Sequence, residues 1–424
     1  MKSQPWIFVI ITCSNFLHLC SMVESFPVTD KIVRLPGQPH VTFQQFSGYI
    51  PVDENKQRAL FYYFVEAETN PASKPLLLWL NGGPGCSSIG VGAFTEHGPF
   101  ITNEKTLVKN EYSWNKEANL LYLESPAGVG FSYSTNNSFY SYINDEITAQ
   151  DSLVFLQRWF LKFPEYKNRD LYISGESYAG HYVPQLAQLI IESKVNFNLK
   201  GIAIGNPLLE FSTDFNSQDD YFWSHGLLSD SAYKLLKTVC NSSRSRLQIL
   251  KPEHHLQQDA TNDKKVTNKG DACILKNAET YLNRKDVQKA LHAQLVRVNR
   301  WEVCSKVVNY DPLNKEIPTI NIVGLLVKSG IRVIVYSGDL DSVIPFTGTR
   351  SLVDGLAKKL GLKTTVPYSA WFVDKQVGGW TQAYGDHLSY ATVRGASHGA
   401  PTTQPKRSLV LFTSFLAGKP LPRP

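Results

Sequence analysis

The sequence has very little methionine, a small charged fraction and no dense block of basic residues. Only 2 of its 424 residues are Met, and Asp, Glu, Lys and Arg together make up 19% of the chain. A chain with 42% hydrophobic residues and so few charges folds into a globular structure. The net charge of +6 includes no basic cluster that could follow a phosphate backbone, so we expect no nucleic-acid partner. Scarce methionine favours a rigid enzyme core over an adaptable binding surface.

Membrane spans, repeats and metal-binding motifs are also missing. After residue 25 no apolar run reaches the roughly 20 residues that cross a bilayer. The metal-binding spacing H-E-x-x-H does not occur, and His254 and His255 are adjacent residues in a polar stretch, where their side chains face different ways. We therefore expect no metal, no cofactor and no stable membrane insertion.

The first 25 residues have the pattern of a cleaved signal peptide. Lys2 precedes an apolar run from residue 6 to residue 20, and polarity rises at residues 24 and 25. Ser14, Asn15 and His18 interrupt the run, which favours a cleaved signal peptide over the alternative of a retained membrane anchor. We expect this segment to be removed as the chain enters the secretory pathway.

The cysteines and two sequons fit that compartment. Cys13 and Cys20 belong to the expected signal peptide. The sequons at Asn136 and Asn241 predict glycosylation. Four further cysteines remain in an oxidising environment, enough for two disulfides; they are Cys86, Cys240, Cys273 and Cys304.

Short apolar runs alternate with helical patterns in the first half of the chain. From Leu153 to Phe163 apolar residues recur every three or four positions, which predicts a helix that Pro164 ends. A second such pattern covers residues 183–190. The alternation predicts right-handed crossovers and a doubly wound, mostly parallel α/β sheet. The predicted buried strands are residues 75–80, 119–124, 170–174 and 199–205.

This alternation lapses between residues 211 and 323, where short helical pieces such as 286–292 lie among polar stretches. Strand patterns resume at residues 331–336 and 388–393. We therefore expect a core formed by residues 26–210 and 324–424, with residues 211–323 inserted as a mainly helical cap.

A serine lies at the end of the third predicted strand, in the sequence Gly175-Glu176-Ser177-Tyr178-Ala179, and a helical pattern follows at once. A nucleophile elbow requires this strand, turn and helix. Small residues on either side of Ser177 allow a sharp turn that lifts its hydroxyl above the sheet edge. Ala179 stands where Gly is usual, so an ordinary turn serine is the alternative.

Two later strands end in an acid and a base. Residues 331–336 lead to Asp339 and Asp341, and residues 388–393 lead to His398. A serine hydroxyl needs an imidazole to take its proton and a carboxylate to orient that imidazole. The chain order Ser, Asp, His is that of an α/β-hydrolase fold, and the carboxyl ends of parallel strands are where such sheets place their sites. Spacing alone does not choose between Asp339 and Asp341.

A glycine-rich loop, Asn81-Gly82-Gly83-Pro84-Gly85, directly follows the first predicted strand. Glycines let backbone amides approach a substrate oxyanion, and the amides of Gly83 and Tyr178 are the natural pair for that hole. A phosphate loop is the alternative, but Cys86 and Ser87 stand where its Lys and Ser or Thr belong.

These motifs resemble those of the serine carboxypeptidase family, particularly its plant members. The resemblance is carried by NGGPGCSS from residue 81, GESYAG from residue 175 followed by HYVP, and GASH from residue 395, and it extends over nearly all of the mature chain. It implies a triad of Ser177, Asp341 and His398. It also implies that a peptide's terminal carboxylate is held by Asn81, Gly82, Glu96 and Glu176.

The two glutamates have a physical reason to act together. Glu176 precedes the nucleophile and Glu96 lies just beyond the glycine-rich loop. Crowded carboxyls share a proton, and a protonated carboxyl can donate a hydrogen bond to a carboxylate that two ionised ones would repel. We therefore expect peptide hydrolysis to be fastest in acid.

The sequence also departs from the family pattern. Gly399 follows the histidine where an acidic or larger residue is common, which puts a preference for basic substrates in doubt. The resemblance implies a disulfide between Cys86 and Cys304. Cys240 and Cys273 look like single survivors of two family disulfides, and they either pair with each other or are both free.

We predict a secreted or vacuolar serine carboxypeptidase that acts on peptide or protein C-termini. One alternative is an acyltransferase that uses glucose esters, since plant relatives have the same triad. Another is a catalytically silent secreted homologue. Relatives form dimers, so a homodimer is also open.

Overall fold

The fold is described from a computed structural model over residues 27–55, 57–103, 105–238 and 269–424. The expected signal peptide, Cys240 and Asn241 lie outside these residues. Within them the strands are β1 (Gln45–Pro51), β2 (Arg58–Val65), β3 (Leu76–Asn81), β4 (Phe100–Thr102), β5 (Leu107–Lys109), β6 (Asn119–Leu123), β7 (Tyr133–Ser134), β8 (Leu171–Glu176), β9 (Leu199–Gly205), β10 (Arg332–Gly338), β11 (Thr364–Val373), β12 (Gln376–Tyr384) and β13 (Leu388–Val393).

The helices alternate with these strands through much of the chain. Those that the structure describes are α1 (Asp145–Lys162), α2 (Ala179–Glu192), α3 (Phe211–Ser224), α4 (Asp230–Thr238), α5 (Lys269–Leu282), α6 (Lys285–Ala290), α7 (Ile320–Lys328), α8 (Phe346–Lys359), α9 (Ala400–Thr403) and α10 (Pro405–Ala417). A π-helical segment, Ile89–Glu96, follows the glycine-rich loop. In the described part of the chain, no helix is long and apolar enough to cross a membrane.

One large sheet forms the centre of the fold, with strand order β1-β2-β6-β3-β8-β9-β10-β13-β12-β11. The six strands from β6 to β13 are parallel, as predicted from their apolar runs. The flanking pairs β1-β2 and β12-β11 are antiparallel. These outer strands were not predicted from the sequence.

Both faces of the central parallel part of the sheet are buried, which explains why those strands are largely apolar. Along the adjoining strand β2, Tyr62 and Phe64 pack on one face, whereas Phe61 and Tyr63 pack on the other. Helices α1, α2, α7 and α8 cover the first face, and the π-helical segment, α5, α6 and α10 cover the second. The sheet edge at the carboxyl ends of its parallel strands is thereby held by packed helices on either side.

The start of α1 shows how the sequence sets a helix boundary. The Asn144 side chain caps the helix by accepting from the amide of Ile147 at 2.9 Å. Acidic Asp145 and Glu146 occupy the first turn, where they complement the helix dipole. The helix ends at Lys162, two residues before Pro164, the residue that was predicted to end it.

The chain between β9 and β10, which are neighbours in the sheet, includes residues 211–323, for which a cap was expected. Its described residues form helices from α3 to α7. Tyr281 and Trp301 of this region are fully buried against the second face of the core. The expected boundary at residue 323 falls inside α7, whose Val323 and Leu326 pack on the first face. The cap boundaries remain a proposal.

Candidate active site

Ser177 lies in a sharp turn between β8 and α2. Its φ of 62° is in the left-handed region, which a residue with a side chain seldom adopts. Gly175 makes the turn possible, because a Cβ there would lie 2.3 Å from the carbonyl oxygen of Leu80. The turn therefore has the strained geometry of a nucleophile elbow.

An acid and a base meet at the same sheet edge. The His398 Nδ1 is 2.9 Å from the Asp341 Oδ2, and Asp341 is fully buried. Asn206, at the end of β9, donates to the same oxygen at 2.7 Å, and the amide of Val343 donates to Oδ1 at 2.8 Å. Asp339 accepts instead from the amide of Gly395 at 2.6 Å. The structure thus pairs His398 with Asp341 and not with Asp339.

The charge of Asp341 decides how easily His398 takes a proton. Burial of the ring lowers the pKa of His398, but the charge and hydrogen bond of Asp341, together with the charge of Glu96, raise it to a net value above its usual one. The ring is oriented through Nδ1, which leaves Nε2 for a proton transfer.

The glycine-rich loop lies directly against the elbow. A Cβ on Gly82 would lie 2.3 Å from the amide nitrogen of Tyr178, so only glycine fits at this contact. Among the described residues, no hydrogen bond engages the amide of Gly83 or of Tyr178. Both predicted oxyanion donors are therefore on adjoining segments and are not used elsewhere.

Glu96 and Glu176 form a buried carboxyl pair, with 3% and 5% of their surfaces exposed. The two side chains are hydrogen-bonded to each other, and Asn81 Nδ2 donates to Glu176 Oε1 at 3.2 Å. The Asn81 Oδ1 accepts from Trp79 Nε1 at 2.6 Å and from the amide of Gly92 at 3.1 Å, which fixes the amide orientation. The structure thus brings together three of the four residues implied to bind a carboxylate, and Gly82 adjoins them.

The carboxyl pair has a strong affinity for protons. Burial raises the pKa of Glu96 to about 7, against the opposing effects of its hydrogen bond to Glu176 and the charge of His398. Burial and the charge of Glu96 raise the pKa of Glu176 well above its usual value. At least one proton therefore stays on the pair in acid.

A second buried cluster lies on the other side of the elbow. Asp145 accepts four hydrogen bonds: from Tyr178 at 3.1 Å, His181 at 2.8 Å, Gln185 at 2.9 Å and Tyr310 at 2.6 Å. Burial opposes the ionised form of Asp145, but the hydrogen bonds and the charge of His181 outweigh it and hold the pKa below its usual value. We call these five residues the Asp145 cluster.

Sequence reasoning missed several residues at the site. Asn206 follows β9 as Asp341 follows β10, so its strand-end position was an available signal. Trp79 lies within β3, and its position in the sequence gave no signal of a role beyond core packing. His97, next to Glu96, and Asp145, far from the elbow in sequence, are recognisable only from tertiary contacts.

The cysteines and the described sequon have the following positions. Cys86 and Cys304 form a disulfide that ties the glycine-rich loop to the cap. Cys273 is exposed near the start of α5 and forms no disulfide with another described residue. Because Cys240 lies outside the described residues, the pairing of these two cysteines stays a prediction. Asn136 is exposed. Its side-chain oxygen accepts a hydrogen bond from the amide of Ser138 at 3.1 Å. Glycosylation of Asn136 stays a prediction.

No group of three or more His, Cys, Asp or Glu side chains capable of holding a metal ion occurs within the described ranges. The chemistry that the site residues themselves offer is nucleophilic attack by a serine, proton transfer by a histidine and recognition of an anion by a protonated carboxyl pair.

Comparisons with known proteins agree with these observations. Residues 36–270 and 246–418 match the family described as serine carboxypeptidase. Serine carboxypeptidase-like 45 of Arabidopsis thaliana is 57% identical, with 100% of this chain and 99% of the relative covered. Serine carboxypeptidase-like 46 of the same plant is 58% identical, with 96% of each covered.

A solved structure is similar in fold. The prohormone-processing carboxypeptidase Kex1(delta)p from Saccharomyces cerevisiae superposes with a TM-score of 0.77 over 92% of this chain and 96% of that one, at 24% sequence identity. This likeness confirms the predicted α/β-hydrolase fold.

Proposed function

This chain belongs to the serine carboxypeptidase family and is a serine-type hydrolase, and we propose that it releases C-terminal amino acids from peptides in acid through an acyl-enzyme on Ser177. The observation that carries the proposal is the buried Glu96–Glu176 pair beside the elbow, because its raised pKa values let it offer a carboxylate-binding site one residue from the nucleophile.

In the first half of the reaction, Ser177 Oγ attacks the carbonyl carbon of the last peptide bond, and its proton passes to His398 Nε2. Asp341 stabilises the imidazolium that forms, since it is buried and hydrogen-bonded to Nδ1. The amides of Gly83 and Tyr178 hold the oxyanion. His398 then gives the proton to the leaving nitrogen, the C–N bond breaks, and the C-terminal amino acid departs.

In the second half, a water molecule attacks the acyl-enzyme while His398 takes its proton. The Ser177 ester bond breaks, the proton returns to Ser177 Oγ, and the shortened peptide leaves as an acid. The histidine thus acts as base and acid alternately, and no other proton carrier is required.

Specificity for the chain end comes from the carboxylate site. Asn81 Nδ2 and the amide of Gly82 are donors to the terminal carboxylate, and the carboxyl pair adds a third donor as long as it holds its proton. Ionisation of Glu96 puts a negative charge beside the bound carboxylate. Peptide binding therefore weakens as the pH rises through about 7, the pKa of Glu96.

The expected compartment agrees with such an activity. A signal peptide, the Cys86–Cys304 disulfide and an exposed sequon at Asn136 support a secreted or vacuolar enzyme. Acidic vacuoles and extracellular fluids keep the carboxyl pair protonated.

The test is an assay of the mature protein from pH 4 to 8. Three substrates are compared: a blocked dipeptide with a free C-terminal carboxylate, its C-terminal amide, and an acyl glucose with an alcohol acceptor. We expect the free-carboxylate peptide to be turned over best, with a KM that rises at high pH, and Ser177→Ala to lower kcat/KM by about 10⁴-fold or more.

Other outcomes would contradict the proposal. Preferred acyl transfer from the glucose ester would identify an acyltransferase. Failure of an active-site phosphonate to label Ser177 would indicate a silent homologue. Peptide turnover that rises steadily from pH 5 to 8 would contradict the role of the carboxyl pair.

A further inference from the structure

His97 directly follows Glu96 in the chain and is completely enclosed, with 1% of its surface exposed. Its ring stacks on Trp114, with centroids 4.1 Å apart and planes 19° apart, and meets the edge of Trp79 at 4.1 Å. Its Nδ1 is 3.2 Å from the hydroxyl of Tyr122. The ring is thus fixed by contacts on several sides.

The other ring nitrogen faces the carboxyl pair. His97 Nε2 is 4.0 Å from Glu96 Oε2. Both atoms are buried, and within the described part of the chain neither has a hydrogen-bond partner. Buried polar atoms without partners are rare, and two of them facing each other beside a binding site call for a functional explanation.

The chemistry of the ring decides what Nε2 presents. Burial lowers the pKa of His97 well below its usual value, so the ring is neutral and carries one proton. A bare Nε2 lone pair would repel an ionised Glu96 carboxylate, whereas an Nε2 proton would attract it. The Tyr122 hydroxyl can donate to Nδ1 or accept from it, and where it donates, the ring proton lies on Nε2.

We propose that His97 is a positioning residue, whose ring presents an Nε2 proton to Glu96 and favours the ionised form of that carboxyl over the ionised form of Glu176. The inference deepens the proposed function, since it concerns the site that recognises the substrate carboxylate. Through Glu96, His97 sets the pH above which that site acquires a negative charge and loses affinity for peptide ends.

Other groups around the pair also act on one or both of the glutamates. The charge of His398 also favours ionised Glu96, and the charge of Asp341 disfavours ionised Glu176. The Tyr336 hydroxyl is buried without a partner in the described residues, and its own pKa is raised by burial and then by the charges of both glutamates. Asn81 binds Glu176 alone. These groups are unchanged in a His97 variant, so their effects cancel in the comparison.

The test compares the wild-type protein with His97→Leu, which has no donor, and His97→Gln, whose amide NH₂ can occupy the position of Nε2. KM is measured from pH 4 to 8 for a blocked dipeptide with a free carboxylate and for its C-terminal amide. We expect the rise in KM of the free-carboxylate substrate to move upward by about one pH unit in His97→Leu and to return close to wild type in His97→Gln.

The amide substrate separates this effect from general damage, because it has no carboxylate to bind. Its KM should keep the same pH dependence in all three proteins. An unchanged profile in His97→Leu, an equal shift with the amide, or a His97→Gln variant that behaves like His97→Leu would overturn the proposal.

A second measurement does not depend on activity. ¹⁵N NMR of the wild-type protein, with the His97 signals assigned by their absence in His97→Gln, reports which ring nitrogen is protonated. A proton on Nε2 supports the proposal, and a proton on Nδ1 overturns it. If the wild-type protein cleaves no free-carboxylate peptide, the proposed function fails, but this spectrum still decides the role of His97.

Discussion

The nucleophile is flanked in the chain by two buried acidic groups whose pKa values are shifted in opposite directions. Glu176 precedes Ser177 and meets a second carboxyl, Glu96, whereas Tyr178 follows Ser177 and leads to Asp145. Glu176 and Asp145 are equally buried, at 5% exposed each. The pKa of Glu176 is raised by burial and by Glu96, but the pKa of Asp145 is held down by His181 in spite of burial.

The difference shows that the partner, rather than depth, decides whether a buried acid keeps its charge. An acid that meets another acid keeps a proton and can donate to a substrate. An acid that meets four donors is ionised and acts as a structural centre. Replacing each acid with its amide distinguishes these two states, because an amide resembles a protonated carboxyl and not a carboxylate.

The largest effect is expected for Asp145→Asn. The carboxylate oxygens accept four hydrogen bonds, and an amide offers one acceptor oxygen, so its NH₂ would face donors from the cluster. We expect a loss of about 3–5 kcal/mol in the free energy of unfolding, measured by urea denaturation at pH 5. A loss below about 1 kcal/mol would contradict an ionised Asp145.

The next effect is the pH dependence of stability. Burial raises the pKa values of Glu96, Glu124 and Asp214 to about 7. At any pH between the pKa of these groups in the unfolded chain and pH 7, the native state therefore binds more protons than the unfolded state. The free energy of unfolding should therefore fall from pH 5 to pH 8, by about 2.5 kcal/mol for each acid that keeps this shift. Asp145 acts in the opposite sense, and its contribution is lost only as the pH falls below about 4.

Urea denaturation at a series of pH values measures both the loss of stability toward pH 8 and the loss below about pH 4. Glu124→Gln removes one of the three acids without touching the carboxyl pair, so it should flatten the alkaline fall. Stability that stays constant or increases toward pH 8 would be inconsistent with protonated buried carboxyls.

A smaller effect is expected for Glu176→Gln. The amide can still accept from Asn81 and can donate to Glu96, which reproduces the hydrogen bonds of the protonated acid. We expect a stability change at pH 5 of less than about 1 kcal/mol and a KM for free-carboxylate peptides within about tenfold of wild type. A destabilisation as large as that of Asp145→Asn would mean that both acids are ionised.

The smallest effect is expected for Gly399→Ala, which adds a methyl group beside Glu96 and Thr402. The added methyl would lie 3.5 Å from Glu96 Oε1 and 3.3 Å from Thr402 Oγ1. The KM for peptides should change by about threefold or less. Gly355→Ala in α8 is the matched control, since its Cβ meets nothing within 4 Å and should leave KM unchanged. A loss of peptide binding in Gly399→Ala would show that this side of the site has no spare room.

The parallel strands and the elbow could be predicted because their signals are local. A run such as residues 75–80 is apolar at every position only if both faces are buried, and Gly175 and Ser177 lie only two positions apart in the chain. The outer strands β1, β2, β11 and β12 were missed. In β11 most side chains are exposed or half-buried, so no apolar run distinguishes that strand from a loop.

The partners of the site residues could be predicted only in part. Two acids, Asp339 and Asp341, follow β10 two residues apart, and only the folded turn directs Asp341 toward His398 while Asp339 binds a backbone amide. His97 and Asp145 carry no motif at all. Their roles depend on contacts between segments that fold together from distant parts of the chain.

The bond between Cys86 and Cys304 has a consequence for proteolysis. Its two ends lie on opposite sides of the polar residues 239–268, so a single cut in that stretch would give two polypeptides that remain covalently joined. One polypeptide would contain Ser177 and β9, and the other would contain β10 and His398, which are adjacent in the same sheet. A nicked enzyme would therefore migrate as one band without reductant and as two bands with it.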